Sequence, residues 1–194
     1  MNILRSPVKN DRSPSSPEDV PMPFYWHFLS PLVALGGGLF GILGAIYTEL
    51  IYGSFLVAFV GAPIIEEVVK PSGVYLLLVK WPRALRTQRY TAFLAALGGL
   101  AFALVENLIY LNIYVPEPGS LLVLWRYTVC IGVHTACSFI AGHGINEKLS
   151  AAVRGDIKFL AFDKRFFVAA MVLHSLYNIS VVIFESGLRF GVDG

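Results

Sequence analysis

Two adjacent glutamates and a lysine, Glu66, Glu67 and Lys70, lie inside an apolar stretch long enough to cross a membrane. A charged side chain at the centre of a bilayer costs about 3 kcal/mol on insertion scales, and such residues are rare and mark functional sites. Two carboxylates beside one ammonium suit general acid–base chemistry, in which one carboxylate takes a proton from water. The sequence therefore predicts a proton-transferring centre inside the membrane.

Three further apolar segments carry polar side chains, which are Glu106 and Asn107, then Arg126, His134 and Ser138, then His174 and Asn178. Residues four apart share one face of a helix, as His134 and Ser138 do, and His174 and Asn178. Polar side chains in a membrane face the interior of the bundle. We therefore expect these sets to meet Glu66 between the helices.

Each of these residues also has a purely structural interpretation. Glu66 and Lys70 are spaced to form an ion pair along one helix, and Glu106 and Arg126 fall at similar depths on two helices. A lone histidine in an apolar helix is usually a core residue, but two histidines with three glutamates favour a shared site. A serine nucleophile is disfavoured, because the hydroxyl of a serine in a membrane helix usually donates a hydrogen bond to the backbone carbonyl four residues earlier.

Composition identifies the elements that must position these residues. The chain has 194 residues, of which 56% are hydrophobic and 14% charged, with a mean hydropathy of +0.65. These values lie outside the range of soluble globular proteins and predict an integral, multi-pass membrane protein. A net charge of +2, without a basic stripe, argues against a nucleic-acid partner.

Five apolar segments fit a hydrocarbon core about 30 Å thick, and no strand-like alternation persists. They run near 29–47, 54–79, 90–114, 120–142 and 166–184. The fold class predicted is thus all-α, a bundle of about five transmembrane helices. The weakest boundary is Thr48 to Gly53, where only Glu49 interrupts the apolar run, and a re-entrant hairpin is the alternative there.

Basic residues in alternate loops predict the orientation. Twelve Lys and Arg residues flank one side of the membrane, and only Arg189 flanks the other. Cytoplasmic loops carry the excess of positive charge, so the N terminus is expected in the cytoplasm. Residues 1–23 are rich in proline and serine and predict a disordered cytoplasmic tail. Residues 24–190 are expected to form one membrane-embedded domain.

Glycines, prolines and cysteines add packing expectations. Gly37 and Gly41 form a GxxxG pattern, which lets neighbouring helices approach closely. Pro63 and Pro71 flank the two glutamates and are expected to bend the second segment. Cys130 and Cys137 lie about two turns apart on one helix face, too far for a disulfide, and are interpreted as core residues.

Four motifs occur in order on separate predicted helices: EEVVK at 66–70, FALVEN at 102–107, HTACS at 134–138 and HSLYN at 174–178. Together they resemble the motifs of the PrsW family, which is similar to the wider CAAX-protease and bacteriocin-processing (CPBP) superfamily. The resemblance covers roughly residues 55–184. Glu106 stands where the superfamily often has histidine, so the mechanism of the prenyl endopeptidases does not transfer directly.

The resemblance implies an intramembrane peptidase of a prokaryotic inner membrane, acting on membrane-anchored or transmembrane substrates. The implied catalytic residues are Glu66, Glu67, Lys70, Glu106, Asn107, His134, His174 and Asn178. Glu66 would activate water, while Asn178 and His174 would donate hydrogen bonds to the oxyanion. This interpretation requires no cofactor. The alternative is a zinc site formed by Glu106, His134 and His174, with Glu66 as base.

Two functions of other classes use the same residues. Intramembrane Glu, His and Lys also mark proton or ion relays, so a coupled transporter is one alternative, although the chain shows no internal repeat. A non-catalytic binding module on the same scaffold is the other, and it predicts that Glu66→Gln is tolerated. The oligomeric state does not follow from the sequence.

Overall fold

The computed structural model describes the backbone of residues 22–52, 57–115 and 117–191, with side chains over 22–46, 59–115 and 117–183. Within these ranges all regular secondary structure is helical, which confirms the all-α class. The predicted tail lies almost wholly outside the described residues. The helices are α1 Trp26–Tyr52, α2 Ala62–Val69, α3 Ser72–Lys80, α4 Gln88–Ile109, α5 Ser120–Trp125, α6 Ile131–Gly142, α7 Glu147–Arg154 and α8 Arg165–Gly191.

Short π-helical turns extend these helices. Val57–Gly61 precedes α2, Tyr110–Tyr114 continues α4, and Arg126–Cys130 joins α5 to α6. π-Helical turns of this kind are often found at functional sites. Two of the three lie directly beside predicted site residues, at the end of α4 and before His134.

Four continuous helical stretches of the described chain are long and apolar enough to span a membrane, at Trp26–Ile46, Gln88–Tyr114, Ser120–Gly142 and Arg165–Ile183. They match four of the five predicted segments. The predicted boundary after the first segment differs, because the backbone of α1 stays helical through Tyr52. Any loop there begins after Tyr52, and residues 53–56 lie outside the described chain.

The second predicted segment is broken into α2 and α3 at Lys70 and Pro71. Pro71 has no N–H to donate, and its backbone angles of φ −86° and ψ 21° leave the helical range. Ser72 Oγ donates to the carbonyls of Val69 at 2.7 Å and Gly37 at 2.9 Å. The predicted bend is therefore a break, and it places Lys70 at the end of α2.

The helices close a ring around this break. α4 packs against α1 and α6, α6 packs against α8, and α2 contacts both α1 and α8. Each of the four polar motifs lies on a different member of the ring. Side chains that point inward from α2, α4, α6 and α8 consequently converge on one interior volume.

Glycine permits the closest approaches in this ring. A Cβ at Gly98 of α4 would lie 2.7 Å from the Lys70 carbonyl oxygen and 3.2 Å from that of Ala34. A Cβ at Gly37 of α1 would collide with the backbone of Gly73 at the start of α3. The predicted close packing of α1 is found, and it brings α1, α4 and the break together backbone to backbone.

Candidate active site

Lys70 lies at the centre of the converging side chains and is fully buried. Its Nζ lies 2.6 Å from Glu67 Oε1, 3.1 Å from Glu66 Oε2 and 2.8 Å from His134 Nδ1. The ammonium is hydrogen-bonded to Glu67 and His134, and Glu66 Oε2 lies at ion-pair distance. The arrangement is that of a charged lysine held by both glutamates and one imidazole.

Glu67 links Lys70 to His174 of α8. His174 Nδ1 lies 2.9 Å from Glu67 Oε1, and both side chains are buried. Because a carboxylate only accepts, this contact assigns the imidazole proton to Nδ1. The other nitrogen, Nε2, then carries a lone pair and lies 3.8 Å from Glu66 Oε2. The predicted role of His174 as an oxyanion donor would require a proton at Nε2.

His134 of α6 has the opposite tautomer. Its Nδ1 accepts from Lys70, so the proton of the neutral ring is on Nε2, which lies 3.2 Å from Glu106 Oε2. The ring packs at 4.6 Å, centre to centre, against the His174 ring and at 6.0 Å against that of Phe102. His134 thus joins the pair of glutamates on α2 to Glu106 on α4.

Arg126 organises the other side of Glu106. Its Nη2 lies 3.2 Å from Glu106 Oε1, and its Nε donates to Asn107 Oδ1 at 2.9 Å. Asn107 in turn donates to the Arg126 carbonyl oxygen at 2.7 Å. The guanidinium lies 3.8 Å from the centre of the Tyr110 ring, a cation–π distance. The predicted Glu106–Arg126 ion pair is present and leaves Glu106 Oε2 facing His134.

We expect Arg126→Met to reduce activity by about 10–100-fold, which corresponds to losing one charge-assisted hydrogen bond of about 1.5–3 kcal/mol. Arg126→Lys keeps the charge but not the planar fork that holds Glu106 and Asn107 together, so it should recover only part of the rate. The measurement is kcat and KM of both variants in the same bilayer, for the peptide cleavage that the sequence resemblance implies. Equal rates for the methionine and lysine variants would show that the charge at this position has no positioning role.

A cavity of about 340 Å³ opens beside these residues. Its wall includes Glu66, Glu106, Arg126, His174 and Asn178. Glu66 Oε2 is buried, and Lys70 Nζ lies at ion-pair distance from it. The Glu66 carboxylate is part of the cavity wall, where it could take a proton from a molecule in the cavity.

The predicted site residues converge, but their possible metal ligands fall into two groups and not into the one predicted set. Ligand atoms of Glu66, His134 and His174 all lie within 4.8 Å of one another, and so do those of Glu106, Cys130 and His134. The predicted zinc set of Glu106, His134 and His174 is therefore divided between two groups that share His134. Which face of a helix carries each residue was predictable, whereas the rotation of α4 against α8 was not.

Three residues that the sequence did not assign to the site, Cys130, Tyr110 and Tyr177, also belong to it. Arg126, Cys130, His134 and Ser138 follow one another at intervals of four and are all buried, so they form one continuous face.

Tyr110 and Tyr177 line the cavity. Their spacing to Glu106 and His174, four and three residues, was the available signal. Ser138 packs against Gly99, where a Cβ would meet its side chain, and is not part of the cavity wall.

The two groups do not fit a divalent metal ion as they are arranged. Zinc ligands of this kind lie about 2.0–2.2 Å from the ion. Glu66 Oε2 and His134 Nδ1 are 3.9 Å apart, and Lys70 Nζ lies 3.1 Å and 2.8 Å from them. An ion bonded to both atoms would contact the ammonium. In the second group, the proton on His134 Nε2 occupies the nitrogen that would bind the ion.

The fold and the site define a polytopic membrane protein with a buried cluster of charged side chains and histidines, contributed by four of its helices. Residues 24–192 match the family described as PrsW family intramembrane metalloprotease, and the chain belongs to that family. The match spans the whole ring and every predicted site residue. No curated protein and no solved structure gave a match.

Proposed function

We propose that the protein hydrolyses peptide bonds of membrane-anchored or transmembrane substrates, with Glu66 as the general base that activates water. The observation that supports this most directly is the buried Glu66 carboxylate in the wall of the cavity, together with His174 and Asn178. The family description as a metalloprotease supports the reaction class. We further infer a place in the CAAX-protease and bacteriocin-processing superfamily from the four motifs.

The residues suffice for each proton transfer in the reaction. Glu66 takes a proton from water as the water oxygen attacks the scissile carbonyl, and it later returns that proton to the leaving amine. His174 Nε2 accepts the second hydrogen of the water and so fixes its position. Asn178 is assigned as the donor to the oxyanion, a role worth about 3–4 kcal/mol when the donor is preorganised.

The remaining charged residues hold this pair in place. Glu67 fixes the His174 ring through Nδ1, and Lys70 balances the charges of both glutamates. Glu106 and Arg126 orient His134 from the other side. A substrate bond must enter between the helices to reach Glu66, which favours a chain that is already in the membrane.

We expect purified protein in proteoliposomes to cleave a subset of single-span membrane peptides, and a strong metal chelator to leave the rate unchanged. Products are identified by mass spectrometry, which gives the cleaved bond. Ser138→Ala is the matched control, because Ser138 is buried on the same helix face as His134 but lies outside the cavity wall.

Three outcomes would contradict parts of this proposal. Loss of activity with the chelator, and recovery with zinc, would require metal-dependent catalysis. Loss of activity in Ser138→Ala with intact folding would favour a serine nucleophile. Absence of cleavage across the whole peptide set would favour transport or binding as the function.

A further inference from the structure

We propose that the Lys70 ammonium takes the place that a metalloenzyme gives to its ion, and that removing this ammonium turns the centre into a metal-binding site. The binding part of the proposal stands without the proposed function, since it concerns only the ligands. Its kinetic consequence, catalysis without a metal, rests on the proposed function.

The surroundings of Lys70 resemble those of a bound cation. Two carboxylates from α2 and one imidazole nitrogen from α6 contact Nζ at 2.6–3.1 Å. The face of the Phe102 ring covers it at 4.7 Å from the ring centre. Carboxylate and imidazole are also the groups that bind zinc and cobalt in proteins. The same donor set therefore serves an ammonium here.

Lys70 excludes a metal from the first group by occupying it. Glu66, His134 and His174 bring one ligand atom each within 4.8 Å. Lys70 is hydrogen-bonded to His134 Nδ1 and paired with Glu66 Oε2, so an ion would have to displace a positive charge from both. Two like charges in contact inside a low-dielectric interior repel strongly.

Lys70 excludes a metal from the second group through the tautomer of His134. Glu106, Cys130 and His134 also approach within 4.8 Å, and Glu106 Oε2 lies 3.2 Å from His134 Nε2. By donating to Nδ1, Lys70 keeps the proton of the neutral ring on Nε2. The nitrogen that faces Glu106 is then a donor and cannot bind an ion.

Replacing Lys70 by a neutral residue removes both restrictions at once. The centre would then hold the carboxylates of Glu66 and Glu67 and the imidazoles of His134 and His174 without a compensating cation. A divalent ion would neutralise the two carboxylates, and Glu67 would orient His174 from behind through Nδ1, as carboxylates do for metal-binding histidines. The expected ligands are those of the first group.

The test is cobalt binding by purified wild-type protein and by Lys70→Met, followed by the visible absorption of protein-bound Co²⁺ and by metal analysis after gel filtration. We expect no bound cobalt in wild type and one ion per chain in Lys70→Met. Lys80→Met is the matched control, because Lys80 ends α3 and is exposed. Adding His174→Ala to Lys70→Met should abolish the absorption.

A second variant is included in case Lys70→Met does not fold. Lys70→Gln removes the charge but keeps an N–H donor for Glu67, and it should bind cobalt as Lys70→Met does. Binding by either folded variant supports the proposal. Wild-type protein that retains one ion, and loses it on His174→Ala, would overturn it, as would folded variants that bind none. If neither variant folds, even with cobalt present, wild-type protein without metal supports exclusion by Lys70, and wild-type protein with metal contradicts it.

Discussion

Glu66→Gln is expected to lower the rate of peptide cleavage by about 10²–10⁴-fold, the usual contribution of a general base. The amide has nearly the same shape as the carboxylate but cannot take a proton from water. Lys70 keeps its closest partner, Glu67 Oε1 at 2.6 Å, so the charge of the lysine stays compensated. The measurement is kcat against the same membrane peptide in matched liposomes.

Glu147→Gln is the control for this substitution. Glu147 lies at the start of α7, is exposed, and is not part of the cavity that holds Glu66. Replacing the Glu147 carboxylate by an amide should leave kcat unchanged. If Glu66→Gln keeps more than about a tenth of the wild-type rate, another residue is the base, because a loss of tenfold corresponds to only about 1.4 kcal/mol.

Lys70→Met is expected to destabilise the folded bundle by about 3–5 kcal/mol, the effect of removing one partner of a buried ion pair. The reason is that Glu66 and Glu67 are 5% and 0% exposed and would remain as buried carboxylates without their cation. The measurement is the free energy of unfolding in mixed micelles, in the absence of metal. Lys80→Met, at an exposed position, should change this free energy by less than about 0.5 kcal/mol.

The double variant Lys70→Met/Glu67→Gln separates the two causes of this loss. If unpaired charge is responsible, removing the Glu67 carboxylate should recover part of the stability, so the two substitutions should not be additive. Strict additivity would instead attribute the loss to side-chain packing around Phe102. The expected result is a smaller destabilisation in the double variant than in Lys70→Met.

The spans and the inward faces could be predicted from the sequence, because both depend on regularities within one helix. Length and hydropathy located four segments that the structure confirms as continuous helices. The four-residue spacing of His174 and Asn178 placed both beside the cavity. These predictions needed no knowledge of how one helix lies against another.

Apart from the Glu106–Arg126 ion pair, which similar depth on two helices indicated, the pairings between helices were not predicted correctly, because they depend on rotations and offsets that the sequence does not encode locally. The zinc alternative grouped Glu106 with His134 and His174, whereas the structure groups it with Cys130 and His134. The charge of Lys70 was assigned to the two glutamates, but its hydrogen bond to His134, 64 positions away, had no signal in the spacing. Pro71 indicated a bend, and only the structure shows that it separates two helices.

The contact between Gly98 and the break after α2 has a mechanical consequence. A Cβ at Gly98 would lie only 2.7 Å from the Lys70 carbonyl oxygen, so the backbone of α4 contacts the Lys70 backbone there with no side chain between them. Side chains in a packed interior absorb small displacements by changing rotamer, but two touching backbones move as one body. A bilayer that tilts α4 to match its thickness is therefore expected to move the Lys70 backbone together with α4.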